Sequence, residues 1–345
     1  MDMDINSGHS AQNIGVRQIN IEVLRVVAMF LIVMGHYLYH LKKSQSFSPT
    51  SELFSYVFLQ VVYVFTSIGV NLFVLITGYF LINRLEFRLR GMIRVSLTTI
   101  FYSLAIYILF CLFGSQCYSS TLLLHCFEPI PIHQYWFVAK YLGLILVAPF
   151  LSMMASCLER KEYLRMLAIL FVLFFEWPYG EIFGNGMSLC WFCFLYLVGG
   201  YIRRYGLGRW VESHLVTIIL IVAVGIFSLH VGSNIVGYIK TGTPFLLKYD
   251  ANNSFTFFLA LPVFAWFARR PMNGQLPTRI SRIAPYTFGV YLLHEHSLMR
   301  GLLWDNIAPQ VFPALPLFLH VLVLSIIVFM SAVIVDWILK AIIRI

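Results

Sequence analysis

From its N-terminus onward the chain alternates long apolar runs with short polar connectors. Ten runs can be drawn, at about 20–41, 54–82, 92–114, 134–156, 163–179, 186–204, 212–230, 253–268, 284–304 and 313–342. Most approach about 20 residues, the length an α-helix rising 1.5 Å per residue needs to cross a hydrocarbon core about 30 Å thick. The second and tenth are longer, which predicts tilt or extension beyond the membrane, and the eighth barely reaches. Unbroken runs of this kind exclude a transmembrane barrel, whose strands are short and alternate in polarity. The pattern therefore predicts an all-α fold, a polytopic transmembrane helix bundle of about ten spans. The first run is too long for the core of a signal peptide and is expected to remain as a span. Residues 1–18 are polar and predict a disordered tail, leaving 19–345 as a single membrane domain. No internal repeat is found, and no connector is long enough for a separate soluble domain.

Charge fixes the expected orientation. With the N-terminus in the cytoplasm and the runs alternating, the inside segments hold Arg17; Arg84, Arg88, Arg90 and Arg94; Arg160, Lys161 and Arg165; Arg203, Arg204 and Arg209; Arg269, Arg270, Arg279 and Arg282; and Lys340 and Arg344. The outside loops hold only Lys42, Lys43, Lys240 and Lys248. This is the positive-inside asymmetry, and it predicts that both termini are cytoplasmic. It also accounts for most of the net charge of +9 without a nucleic-acid partner. Composition agrees: 60% of residues are hydrophobic, 11% are charged, and mean hydropathy is +0.82, against about 25% charged residues in soluble domains.

Against that apolar background a few polar residues need explaining. The first run carries Glu22, Arg25 and His36. An Arg at the centre of a bilayer costs about 2.5–3.5 kcal/mol on insertion scales, so an intramembrane ion is a functional hypothesis by default. Arg25 and His36 are eleven positions apart, about three helical turns, so they share a face at about 16 Å separation along the axis. Glu22 sits three positions before Arg25 and can pair with it. The second run contains Gly69, Asn71, Thr77 and Gly78, residues suited to close helix approach and interhelical hydrogen bonds. The connector after it holds Arg84, Arg88, Arg90 and Arg94, guanidiniums suited either to topology or to phosphate recognition on the cytoplasmic side. The ninth run ends its apolar part at His294-Glu295-His296, with Tyr291 before and Arg300 after. On a continuous helix Arg300 aligns with His296 and less well with Glu295. Glu176 and Trp177, at the outer end of the fifth run, offer a carboxylate and an aromatic face suited to a sugar. Asp336 and Lys340 are expected to form a structural i,i+4 pair. Cys190 and Cys193 form a C-x-x-C within a span with no second ligand pair, so packing is the expected role and no metal site is predicted. Cys117 and Cys126 share an outer loop where a disulfide is an open alternative.

Taken in order, these motifs resemble the acyltransferase family 3 membrane proteins. The carrying residues are an Arg, ten residues and a His in the first span (Arg25, His36); a glycine motif in the second (Gly69, Phe73, Thr77, Gly78, Tyr79); the Arg-rich connector; a Tyr135-Trp136-Phe137 entry to the fourth; and Thr287-Phe288-Gly289-Val290-Tyr291-Leu292-Leu293-His294 in the ninth. The family's Arg-x-x-Arg loop motif is not present literally, the spacings being Arg88-x-Arg90 and Arg90-x-x-x-Arg94. The resemblance implies a transmembrane acyltransferase domain over 19–345, with no bound cofactor and an acyl-CoA, usually acetyl-CoA, as cosubstrate. It implies a hydroxyl acceptor on a glycan or lipid-linked saccharide and a multi-pass location in a bacterial inner membrane, in contact with lipid. On this reading His36 is the general base, Arg25 and His294 complete the catalytic group, the four loop arginines bind the donor, and Glu176, Trp177 and Tyr291 bind the acceptor. A polysaccharide flippase, or another transporter without covalent chemistry, also fits about ten spans and intramembrane charge. Broken helices at matching places would favour it.

Overall fold

The computed structural model describes residues 18–44, 53–114, 119–131, 134–174, 186–241, 256–312 and 315–343, and all regular structure among them is helical. In hydrocarbon every backbone donor and acceptor has to be satisfied within its own segment, and a helix does that for any apolar sequence. The helices are α1 (Ile19–Ser44), α2 (Leu53–Thr66), α3 (Gly69–Leu81), α4 (Leu89–Phe113), α5 (Ser120–Phe127), α6 (Trp136–Ser156) and α7 (Arg160–Phe174). They are followed by α8 (Leu189–Tyr205), α9 (Arg209–Ser213), α10 (Leu215–Thr241), α11 (Phe257–Arg269), α12 (Gln275–Ser281), α13 (Thr287–Glu295), α14 (Ser297–Arg300) and α15 (Leu317–Ile343).

Among the described residues six stretches are long and apolar enough to cross a membrane: Ile19–Leu41, Val61–Leu81, Leu89–Phe113, Trp136–Ser156, Leu215–Gly237 and Leu317–Ile342. About ten were expected. The other four runs correspond to shorter helices, α7, α8, α11 and α13, of 15, 17, 13 and 9 residues. Two differences have local causes. The second run is not one helix: α2 and α3 meet at a turn over Ser67 and Ile68, where Thr66 and Ser67 hydroxyls donate to the Tyr63 and Val64 carbonyls. The ninth run breaks at His296, whose extended backbone (φ −59°, ψ 136°) ends α13 and caps α14, its side chain accepting from the Leu298 amide at 3.2 Å. A π-helical turn, Gly301–Ile307, follows α14.

α1 runs through the middle of the bundle, against α2, α3, α11, α12, α13 and α15. The tightest pair is α3 with α8. At Gly78 a Cβ would collide with the Tyr196 backbone, and at Gly199 one would collide with the Leu75 carbonyl, so only glycine permits this approach. The polar residues of α3 then find partners across it. Asn71 is fully buried; its amide donates to the Thr256 hydroxyl at 2.9 Å, and its oxygen accepts from the Trp191 indole at 3.2 Å. Arg204 closes the basic end of the same pair, donating to the Ile82 carbonyl at 3.1 Å and the Ala155 carbonyl at 2.7 Å, which finishes the ends of α3 and α6. Asp336 joins α15 to the site helices. It is fully buried, pairs with Lys340 at 2.7 Å as expected, accepts from the Tyr102 hydroxyl of α4, and packs against Gly289 of α13.

The outward faces of α4 and α10 are apolar and exposed, as in Leu112, Phe113, Leu220, Ile221 and Val224, which is what a lipid-facing surface requires. Cys190 and Cys193 are free thiols on α8, half-buried among apolar neighbours. Cys126 is a buried free thiol, while Cys117 and the expected tail over 1–17 lie outside the described residues.

Candidate active site

The stripe expected on α1 exists. Arg25, Met29, Ile32 and His36 together form one wall of a cavity of about 390 Å³. α3 supplies the facing wall with Val70, Phe73 and Thr77, α6 contributes Trp136 and Phe137, and α13 contributes Thr287, Phe288 and Tyr291. Arg25 stands toward one end of the lining and His36 toward the other, and the wall between them is mostly apolar but includes the hydroxyl-bearing Thr77, Tyr141, Thr287 and Tyr291. Arg25 pairs with Glu22 at 3.1 Å and lies 5.8 Å from the Phe80 ring centroid, with a third of its side chain still open to solvent.

The His36 end is a hydrogen-bonded cluster. His36 Nδ1 lies 2.9 Å from His294 Nε2 and 3.1 Å from Glu295 Oε2. His294 Nδ1 lies 2.6 Å from the Val290 carbonyl, which can only accept, so that nitrogen carries the proton. In neutral His294 Nε2 is then an acceptor, and His36 has to donate from Nδ1. This leaves the His36 Nε2 lone pair unused by the cluster. Glu295 Oε1 is taken by Arg300 at 3.2 Å. His294, Glu295 and His296 are all buried, so the carboxylate is shielded from water and its cationic neighbour Arg300 counts strongly.

The break at His296 makes this geometry. A continuous helix would have pointed Arg300 at His296; the break instead brings Arg300 onto Glu295, five positions earlier. Helix arithmetic on the sequence therefore undervalued both residues. The available signal was three titratable side chains in a row within an apolar run, which a continuous helix could not satisfy together. The carbonyls near the end of α13 are filled by side chains: His294 on Val290, and the buried Tyr135 hydroxyl on Leu292 at 3.0 Å. Beside the cluster the Tyr37 hydroxyl donates to His320 Nδ1 at 2.7 Å, while His320 Nε2 donates to the Val311 carbonyl at 2.8 Å.

The four loop arginines separate. All are exposed. Arg94 lines a second cavity of about 240 Å³ with Lys340 and Tyr102, and this cavity shares Val95, Pro285 and Phe288 with the first. Arg84 and Arg88 border a recess of about 10 Å³ that shares no residue with the main cavity, and Arg90 lines none of the three. Tyr291 is buried in the main cavity, 6.2 Å from His294 between ring centroids. Glu176 and Trp177 lie outside the described residues. Among the described residues one donor set could take a metal ion: the ligand atoms of His36, His294 and Glu295 lie within 4.8 Å of one another. Their partners are already supplied, by one another, by Val290 and by Arg300, so the set closes on itself as a hydrogen-bond network.

In this helical membrane protein an arginine and an imidazole–carboxylate cluster border one cavity. The family model for an acyltransferase domain, acyltransferase 3, matches residues 18–337, essentially the whole chain, and the chain belongs to that family. It is therefore a multi-pass membrane acyltransferase. No curated protein and no solved structure matches it.

Proposed function

We propose that this acyltransferase moves an acyl group, in the expected case acetyl, from acyl-CoA on the cytoplasmic side to a hydroxyl of a cell-surface glycan or its lipid-linked precursor, in a bacterial inner membrane. The observation that carries the reading is the pair of contacts at His36 Nδ1, 2.9 Å from His294 Nε2 and 3.1 Å from Glu295 Oε2: with His294 Nδ1–H on the Val290 carbonyl, His36 donates from Nδ1 and keeps Nε2 as a proton acceptor. In the reaction the acceptor hydroxyl loses its proton to Nε2 as its oxygen attacks the thioester carbonyl carbon. The C–O bond forms, the C–S bond breaks, and the proton passes from the imidazolium to the departing CoA thiolate. Glu295 stabilises the imidazolium while it lasts, and His294 keeps the ring oriented.

Arg25 and Arg94 are the donor-binding residues the geometry favours, since each borders a cavity on the route to His36, with Lys340 beside Arg94. Arg84, Arg88 and Arg90 supply a positive field at the entrance. A long, thin donor suits a cavity lined by two residues that lie about 16 Å apart along the axis of α1. The transporter reading has one observation on its side, the interrupted helices at Ser67 and His296. Incubation of source-cell membranes with labelled acetyl-CoA separates the two. Transfer of label to glycan by the wild type and its loss in His36→Ala is the expected result. Full transfer by His36→Ala, or none by the wild type, overturns the reading.

A further inference from the structure

Tyr291 lines the cavity and carries a hydroxyl for which the described contacts give no acceptor. The Tyr291 hydroxyl is buried beside the Phe137 backbone amide, which points a donor at its oxygen, and its own O–H meets no acceptor. Its ring is fixed on three sides, 5.9 Å from Tyr135, 5.8 Å from Phe137 and 6.2 Å from His294 between centroids. Leaving a buried hydroxyl unpaired costs about 1–3 kcal/mol. A phenylalanine would fill the same space without that cost, so packing does not account for the oxygen. Tyr291 and His294 are three apart on α13 and share a face, and His294 holds His36. Tyr291 and His36 therefore line the same cavity.

Resting on the acyltransfer reading, we propose that the Tyr291 hydroxyl is the oxyanion donor of the reaction. When the acceptor oxygen bonds to the thioester carbon, the carbonyl π pair moves onto the carbonyl oxygen, and Tyr291 O–H donates a hydrogen bond to that developing charge. As the C–S bond breaks the pair returns, the carbonyl re-forms and the hydrogen bond weakens. The tyrosine keeps its proton throughout, so it is distinct from the base, His36. A donor already oriented in a cavity with little water needs no reorganisation at the transition state, which is where such groups are most effective.

The test compares wild type, Tyr291→Phe and protein carrying 3-fluorotyrosine at 291, each in source-cell membranes with labelled acetyl-CoA. Removing one oxyanion donor is expected to lower kcat by about 10²- to 10³-fold. KM for acetyl-CoA should stay within about twofold, because the hydrogen bond matters in the transition state. The thermal unfolding midpoint of Tyr291→Phe should stay close to that of wild type, since the lost O–H had no acceptor and only the contact with the Phe137 amide goes with it. Fluorotyrosine keeps the donor and should restore most of the rate. A Tyr291→Phe protein with wild-type kcat overturns the proposal and leaves acyl transfer standing. A fall in kcat matched by a lower midpoint, with no recovery in fluorotyrosine, assigns Tyr291 to structure and also overturns it. A wild type that transfers no label overturns the underlying reading instead.

Discussion

Replacing Glu295 by Gln tests how the base is powered. The substitution keeps the size and most of the hydrogen-bonding capacity of the side chain and removes its charge. Glu295 Oε2 stands 3.1 Å from His36 Nδ1, and its side chain is only 8% exposed, so water screens the pair little. At that distance, with an effective dielectric constant near 20, a full carboxylate–imidazolium interaction is worth about 5 kcal/mol. Arg300, 3.2 Å away on the other oxygen, already offsets part of the negative charge. A net loss of about 2–4 kcal/mol of transition-state stabilisation follows, or roughly 30- to 900-fold in rate. The assay is label transfer from acetyl-CoA in membranes at saturating donor, with the amount of folded protein measured by size-exclusion chromatography. KM for acetyl-CoA should change little, because the imidazolium exists only during reaction. A well-folded Glu295→Gln protein that keeps more than about a third of the wild-type rate would refute the assignment of Glu295 as the charge behind His36.

Three further outcomes are expected. Arg25→Gln and Arg94→Gln should each raise KM for acetyl-CoA about tenfold, the value of one lost charge-assisted contact to phosphate, while Arg84→Gln, on a separate recess, should raise it less than about twofold; equal effects at all three would show a diffuse field instead of a docking route. Membranes stripped with EDTA should keep full transfer activity, because His36 Nδ1, His294 Nε2 and Glu295 Oε2 are engaged with one another; loss of activity restored by zinc would show that the trio is a metal site. Gly78→Ala should lower the thermal midpoint by several degrees or abolish folding, since the new methyl would meet the Tyr196 backbone and overpacking of this kind costs about 1–3 kcal/mol or more; an unchanged midpoint would mean that α3 and α8 part without cost.

What was legible in the sequence follows the difference between local and long-range information. The α1 stripe could be read because 3.6-residue periodicity places Arg25 and His36 on one face whatever surrounds them, and the cavity does run between them. The glycines of the second run were legible as close-approach sites, but not their partner, α8, since nothing local says which helix will come near. His294 was reachable as a neighbour of His36 because two buried imidazoles in apolar helices each need a polar contact. Glu295 and Arg300 were misjudged because the reading assumed an unbroken helix, and His296 carries no proline or glycine to signal the break. The turn at Ser67 was missed for the same reason: its cost is offset by hydroxyl-to-carbonyl bonds that the sequence does not advertise. Of the loop arginines, only the fold distinguishes Arg94 from Arg84, Arg88 and Arg90, since all four share charge and neighbourhood.

The hydrogen bond from His294 to the Val290 carbonyl has a consequence for how this enzyme can be dissected genetically. A main-chain oxygen determines which nitrogen of His294 holds the proton, and through it which nitrogen of His36 is left for the proposed proton transfer. Every amino acid at position 290 brings the same oxygen. A saturation scan would therefore score this position by packing alone and report nothing about its electronic role. Only an edit to the backbone itself, such as an ester in place of the Val290–Tyr291 amide, would weaken that acceptor and make its contribution visible.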